Sequence, residues 1–165
     1  MPRLPGRSLK GLLRDALYRA EAWHWPQIAA GTTETLFGSR LKERSGRPDE
    51  NLSTSGSLRV GDAMLADEIA QYLASPAGRT LVPGLFREHF STAIEATGVA
   101  REHSLRGMQV VVPLTLYANL AEVPGIPVPI PDWRERLQAV FPLITAVGAH
   151  RTRGFGRARL SWKEI

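Results

Sequence analysis

Two segments of the sequence combine basic side chains with glycine, a combination that favours contact with a phosphate backbone. In the first, residues 5–14, Ser8 precedes a helical pattern, and Lys10 and Arg14 follow four residues apart with Gly11 between them. The free N–H groups and partial positive charge of a helix start attract anions. The segment therefore predicts a phosphate site, with an ordinary capped helix and solvated basic side chains as the alternative.

The second segment, residues 148–160, places an aromatic ring between two glycines inside an arginine cluster. Arginine grips phosphates through two parallel hydrogen bonds, and an exposed ring stacks on a base. Strand alternation would put its arginines and the ring on one face. The alternative is a basic surface strand with its ring in the core. The candidate RNA-binding residues here are His150, Arg151, Arg153, Gly154, Phe155, Gly156 and Arg157.

Other catalytic or metal-binding patterns are weak in this sequence. It has no cysteine, which excludes disulfides and cysteine-ligated zinc, and its four histidines show no metal-ligand spacing. His24 stands between two tryptophans, a context typical of a packed side chain. His150 lies in the arginine cluster, where acid–base chemistry is conceivable. We therefore predict no cofactor, no metal and no catalytic residue.

The charge is concentrated at the two ends of the chain. The formal net charge is +5 and the pI is about 10.2. Residues 1–14 and 136–163 contain no acid and hold 10 of the 21 basic residues, whereas residues 15–135 carry 11 basic and 15 acidic side chains, a balance of −4. This distribution predicts a polyanionic partner. No run of 18 apolar residues and no secretory leader is seen, so we expect a cytoplasmic protein without a membrane span.

The elements that must position these segments follow from hydrophobic periodicity and turn residues. We expect one domain, residues 1–165, with a polar mobile loop at 38–57. Helices are predicted at 8–23, 67–74 and 133–147, and strands at 57–65, 108–120 and 153–162. With the short helix at 67–74 set aside, the order is that of an α+β, ferredoxin-like sheet with two helices whose first strand is missing.

Several blocks resemble a known family. Residues 5–11, PGRSLKG, followed by Arg14, are similar to the helix start of the RAMP superfamily of CRISPR effector proteins. The Arg-Gly-Phe-Gly core within residues 148–157 resembles that superfamily's glycine-rich loop. Residues 36–39, 61–63 and 94–100 resemble intermediate blocks in the order found in backbone subunits of type III effector complexes. The resemblance spans nearly the whole chain.

The resemblance implies an RNA-recognition-motif-like fold and a structural role in an antiviral ribonucleoprotein. Ser8, Lys10 and the glycine-rich loop would contact guide RNA phosphates. Residues 84–107 resemble the thumb that crosses the guide and interrupts its pairing with target RNA, which makes Thr97 and Gly98 candidate contacts. The other effector subunits would be partners, and the missing first strand would be explained either by one of them supplying it or by a truncated start of the sequence. Glu95 and Ala96 stand where the family usually has an Asp-Arg pair.

The resemblance also bears on catalysis. The family's target-cleaving aspartate lies in a loop upstream of the first helix, and this chain begins too late to contain that loop. We therefore expect no target cleavage by this chain. One alternative is a repeat-processing endoribonuclease with His24 or His150 as general base. Another is an interaction module whose basic ends bind acidic proteins.

Overall fold

The computed structural model describes residues 1–39 and 54–163, which form a mixed α+β fold of helices and small sheets, consistent with a ferredoxin-like fold. Most of the predicted loop, residues 40–53, lies outside the described residues. The helices are α1 (Gly6–Ala22), α2 (Thr32–Phe37), α3 (Asp67–Ala74) and α4 (Trp133–Val140). The strands are β1 (Arg3–Leu4), β2 (Leu58–Val60), β3 (Ala63–Met64), β4 (Phe86–Ser91), β5 (Arg106–Val111) and β6 (Leu120–Glu122).

The chain divides into two compact units. The core unit comprises residues 4–63 and 118–165, and the hairpin unit comprises residues 1–3 and 64–117. The strands pair as β1 with β3, β2 with β6 and β4 with β5. Within the described ranges, no helix is long and apolar enough to cross a membrane.

Helix α1 carries the main apolar face of the core unit. Leu9, Leu13, Ala16, Leu17 and Ala20 recur three or four residues apart and are buried, as the periodicity predicted. The helix begins earlier than expected, because Pro5 is the cap and its carbonyl accepts from the N–H groups of Ser8 (2.8 Å) and Leu9 (3.1 Å). Ser8 is therefore part of the first turn and does not cap the helix.

Helix α4 supplies the facing apolar surface. Trp133, Leu137 and Val140 are buried, and α1 packs against both α4 and α2. The antiparallel pair β2–β6 aligns Leu58 with Glu122, and the Trp133 Nε1–H donates to the Glu122 carboxylate at 3.0 Å. The predicted helix at 133–147 is too long. A 3-10 turn, Phe141–Leu143, replaces its end because Pro142 cannot continue the α-helical hydrogen bonds.

In the hairpin unit, α3 has the bounds that the sequence predicted. A 3-10 helix, Gly78–Leu85, follows, and β4 and β5 then form an antiparallel hairpin with Phe86 opposite Val111. The insertion predicted at 84–107 therefore contains all of β4 and the first two residues of β5, and the ladder extends beyond it to Val111. The strand predicted at 108–120 is wrong in extent, since β5 ends at Val111 and β6 begins at Leu120.

The two outer strands of the expected sheet also need correction. Where the sequence predicted a missing first strand, the structure has β1, which is much shorter than the usual five or six residues. The strand predicted at 153–162 is not formed in the part of the chain that is described. Arg151–Arg153 is a 3-10 turn, and Ala146 and Arg157 form a single bridge. Positive φ values at His150 (56°), Gly154 (84°) and Gly156 (68°) turn the chain away from an extended path.

Candidate nucleic-acid interface

The first turn of α1 is already occupied by a carboxylate. Asp62 lies 56 residues further along the chain, and its Oδ1 accepts the Gly6 N–H at 2.7 Å. Gly6 is buried, and a Cβ there would collide with the backbone of Val60 and Gly61. A phosphate at this helix end would meet the negative charge of Asp62. The prediction that the free N–H groups of the helix start hold a phosphate is therefore wrong for Gly6.

The side of α1 behind that turn is different. Arg14 is half-buried, and its Nε and Nη2 atoms are buried with no hydrogen-bond partner in the described part of the protein. A guanidinium stays charged at any pH a protein tolerates, and leaving such donors unpaired in a buried position is costly. The geometry of Arg14 thus favours an anionic partner that the described residues do not supply.

Lys10 and Gly11 lie one turn before Arg14. The Lys10 Nζ lies 6.0 Å from the centroid of the Phe37 ring, so its aliphatic stem follows α2 while its charge stays near the surface. Gly11 is exposed, and a Cβ there would meet nothing within 4 Å. Ser8 is exposed too, but two residues from Lys10 it faces another side of the helix. Lys10, Gly11 and Arg14 form a patch that we name the α1 edge.

The glycine-rich segment folds as a closed loop, defined here as residues 148–157. The Val147 N–H donates to the Gly156 carbonyl at 2.8 Å, and the Ala158 N–H donates to the Thr145 carbonyl at 3.0 Å. At its tip, the Arg153 N–H donates to the His150 carbonyl at 2.9 Å. Backbone bonds therefore fix the path of the loop.

The loop presents its cations to solvent. Arg151, Arg153 and Arg157 are exposed, as is His150, whereas Phe155 is half-buried. The arginines and the ring do not share one strand face as alternation would require, because the loop turns at Gly154 and Gly156. The predicted arginine cluster is present, but its arginines lie on a turn and not on a strand.

The α1 edge and the loop belong to the same unit. The Arg19 Nη2 donates to the Leu143 carbonyl at 2.9 Å, which ties the far end of α1 to the turn preceding the loop. Lys10 lies about 13 Å from Arg19 along the helix axis, at 1.5 Å per residue. The two predicted contact regions are thus separate patches on one body.

Thr97 and Gly98 lie in the hairpin unit. The chain turns there, with the Gly98 N–H donating to the Glu95 carbonyl (2.9 Å), the Glu95 N–H donating to the Val99 carbonyl (2.9 Å) and Gly98 at φ 81°. Both residues are exposed. The structure places them beyond the β4–β5 ladder, in a unit distinct from that of the other predicted contacts.

The two histidines considered for catalysis are both exposed. His24 was expected to be packed, but it is exposed and follows the end of α1 with φ 53°. His150 is exposed in the loop. Among the described residues, no group of three or more His, Asp or Glu side chains is placed to hold a metal ion.

Sequence reasoning placed Arg159 in the arginine-rich segment but not among the contact residues, and it missed Trp162. Arg159 and Trp162 line a cleft between the chain after the loop and the end of α4. The signal was present as alternation, because Ala158, Leu160 and Trp162 are half-buried while the residues between them are exposed. Alternation does not reveal what the buried side packs against, so the cleft was not predictable from it.

Comparison with known proteins supports a family assignment. No curated protein matches the chain. The model of the RAMP superfamily, which is associated with CRISPR RNA-binding proteins, matches residues 1–159. The match includes α1, the β4–β5 hairpin and the glycine-rich loop, so the chain belongs to the RAMP superfamily.

Proposed function

We propose that this protein is a structural guide-RNA-binding subunit of a CRISPR ribonucleoprotein, of the type III effector kind, and that it works in the cytoplasm in antiviral defence. The observation that carries the proposal is that the Nε and Nη2 atoms of Arg14, one turn from Lys10, have no hydrogen-bond partner among the described residues. Membership of the RAMP superfamily supplies the class of partner. In this role the chain holds the guide and does not cut it.

The α1 edge is better suited to binding an RNA phosphodiester than to pairing with a carboxylate of the protein. A phosphate offers several acceptor oxygens, so it can accept from the Arg14 guanidinium when that side chain turns outward from its buried position. Lys10 adds a second positive charge one turn away, which raises the attraction for a chain of phosphates. Gly11 leaves room for a backbone to come close to the helix.

The glycine-rich loop supplies the second patch. Arg151, Arg153 and Arg157 are exposed on a backbone fixed by its own hydrogen bonds. A rigid loop loses little conformational freedom when it binds, which favours affinity. An RNA strand is long enough to contact both this loop and the α1 edge, whereas a small anion fills only one of them.

The β4–β5 hairpin is proposed as the thumb. Thr97 and Gly98 would contact guide or target RNA, and neighbouring effector subunits would cover exposed apolar residues such as Ile94 (69% exposed) and Leu105 (71% exposed). Apolar side chains this exposed are a usual mark of an interaction surface when they cluster. This role follows from the family resemblance and the exposure of the hairpin.

The experiment is a salt titration of single-stranded RNA binding by the full chain. The variant Lys10→Ala with Arg14→Gln removes the α1 edge, and Arg59→Gln with Arg79→Gln, both exposed and outside the α1 edge, the loop and the proposed thumb, is the control with the same charge change. Each lost phosphate contact is expected to reduce the slope of log K against log salt by about 0.7. An unchanged slope in the α1-edge variant, or an equal change in the control, would show that this patch does not bind RNA.

A repeat-processing endoribonuclease is the alternative function. Its supporting observation is that His150 is exposed among three arginines, a setting in which an imidazole can reach a 2′-hydroxyl. The test is incubation of the purified chain with a repeat hairpin in the presence of EDTA. Cleavage that is lost in His150→Ala would establish the enzyme, and intact RNA would leave the binding role alone.

A further inference from the structure

A cleft of the core unit lies beside the glycine-rich loop and shares Arg151 and Arg157 with it. It has a volume of about 1500 Å³ and is bounded by Gln138 and Phe141 on one side and by the chain from Arg157 to Trp162 on the other. Arg151, Arg157 and Arg159 line it, and none of its lining residues is acidic. A cleft with three cations and no counter-charge is built for an anionic ligand.

Trp162 gives the cleft a fixed aromatic wall. Its ring meets Trp133 edge-on at 6.0 Å between centroids and Phe141 at 5.4 Å with a 50° tilt. Its Nε1–H donates to the Arg134 carbonyl at 3.3 Å. These contacts hold the ring orientation without any ligand, and the half-buried ring still borders the cleft. A ring held in this way is pre-organised for stacking.

The size of the cleft argues against a single small molecule. Pockets for small ligands usually measure about 300–1000 Å³ and enclose most of their ligand, whereas this cleft is larger and open to solvent along the loop. An extended polyanion fits such a shape better than a compact metabolite. Fork-shaped guanidinium groups beside an aromatic wall are the features that proteins use to hold unstacked single strands.

We propose that this cleft binds a short run of unstacked nucleotides of single-stranded RNA. Arg157 and Arg159 hold consecutive phosphates, and one base stacks on Trp162. Calling that RNA the guide rests on the proposed function, but binding of a single strand does not. The cleft faces the α4 side of the loop, so it extends the interface beyond the α1 edge and the loop tip.

The test compares two oligonucleotides on the full chain. One is a 12-mer of single-stranded RNA, and the other has the same phosphates with abasic sugars. Arg157→Gln with Arg159→Gln is expected to weaken both, lowering the salt slope by about 1.4, or about 0.7 for each phosphate. Trp162→Leu is expected to weaken only the strand with bases, by about 10-fold. Arg59→Gln with Arg79→Gln, which removes the same charge outside the cleft, serves as the control.

Trp162 also packs in the fold, so Trp162→Phe provides a second variant. Phenylalanine keeps a stacking face and most of the packing, and we expect it to retain most of the affinity that leucine loses. Equal losses for the two oligonucleotides in Trp162→Leu, or unchanged binding in the double arginine variant, would overturn the cleft proposal. So would a mononucleotide or a polyglutamate peptide that competes as well as the 12-mer.

The two proposals fail separately. One outcome is that the slope of log K against log salt decreases in the α1-edge variant and stays unchanged in the cleft variants. In that case the cleft proposal is wrong and the proposed function stands. If the cleft variants lose binding while the α1-edge variant does not, the α1 edge is wrong and the cleft remains a single-strand site.

Discussion

The core unit and the hairpin unit bury apolar side chains very differently. Among the described residues, all the buried apolar side chains except Leu65 and Leu73 belong to the core unit. The large exposed apolar side chains show the reverse, because all except Tyr18 and Trp23 belong to the hairpin unit. One unit thus has a core of its own, and the other exposes the residues from which a core would be made.

The difference indicates what stabilises each unit. The core unit gains from apolar burial around α1 and α4, which is the dominant stabilising term in folding. The hairpin unit depends on the β4–β5 ladder and on close backbone contacts, and an isolated two-stranded hairpin is only marginally stable in water. We therefore expect its amides to exchange faster with solvent than those of α1 and α4.

The largest expected effect is a core truncation. Leu17 is fully buried on α1, whereas Leu81 in the hairpin unit is 54% exposed. Leu17→Ala should lower the free energy of unfolding by about 2–5 kcal/mol because it leaves a cavity, and Leu81→Ala should change it by less than about 0.5 kcal/mol. Urea denaturation followed by circular dichroism measures both. Similar losses would mean that the hairpin unit has a core of its own.

The next effect tests the backbone packing of the hairpin unit. Gly78 is buried, and a Cβ there would collide with the backbone of Tyr72 and Leu73, whereas a Cβ at Gly84 would meet nothing within 4 Å. Gly78→Ala should cost about 1–3 kcal/mol through overpacking, and Gly84→Ala should be nearly neutral. Hydrogen exchange of the α3 and β4 amides reports the loss locally. If Gly78→Ala leaves the protection of α3 unchanged, this contact is not what holds the unit together.

A smaller effect concerns the bond between sheet and helix in the core unit. Trp133→Phe removes the donor to the Glu122 carboxylate and should cost about 0.5–1.5 kcal/mol for the hydrogen bond, with a further loss from the smaller ring. Trp23 is 56% exposed, so Trp23→Phe is the matched control and should be nearly silent. Thermal unfolding of both variants gives the comparison. Equal melting temperatures would show that the bond contributes nothing.

The smallest effect is a pH dependence at the start of α4. The Arg136 side chain hydrogen-bonds to Asp132 at 3.0 Å and lowers the pKa of that carboxyl below its ordinary 3.8. A lowered pKa in the folded state stabilises the protein above pH 3.8, and the contribution is lost as the pH falls through the folded value. The free energy of unfolding should therefore fall between pH 5 and about pH 2, and Asp132→Asn should remove the part of that fall that is due to this carboxyl. The same pH dependence in the wild type and in Asp132→Asn would contradict a stabilising role of the Asp132–Arg136 pair.

Local patterns predicted α3 and the buried face of α1, but they missed α2, overextended α4 and predicted the tertiary contacts poorly. The bounds of α3 and the buried face of α1 follow from side-chain periodicity within a few turns. The bond from Gly6 to Asp62 joins residues far apart in sequence, so no local pattern showed that the helix start was filled. The last strand failed because positive φ angles at Gly154 and Gly156 outweigh the β-like spacing of the arginines. The four-residue spacing of Lys10 and Arg14 showed that they lie on the same side of α1. Only the folded structure showed that both side chains are half-buried.

The close backbone packing at Gly38 and Gly56 creates a place where a foreign segment can be inserted into the chain. Each glycine lies so close to the other's neighbouring backbone that a Cβ on either would collide, and Gly38 forms an antiparallel bridge with Ser55. The Ser39 N–H donates to the Thr54 carbonyl at 3.1 Å, so residues 39 and 54 are clamped side by side. The entropic cost of closing a loop grows only slowly with its length, by about 0.6 kcal/mol for each doubling. A fluorescent reporter or an affinity handle grafted between these two residues should therefore leave the core unit folded.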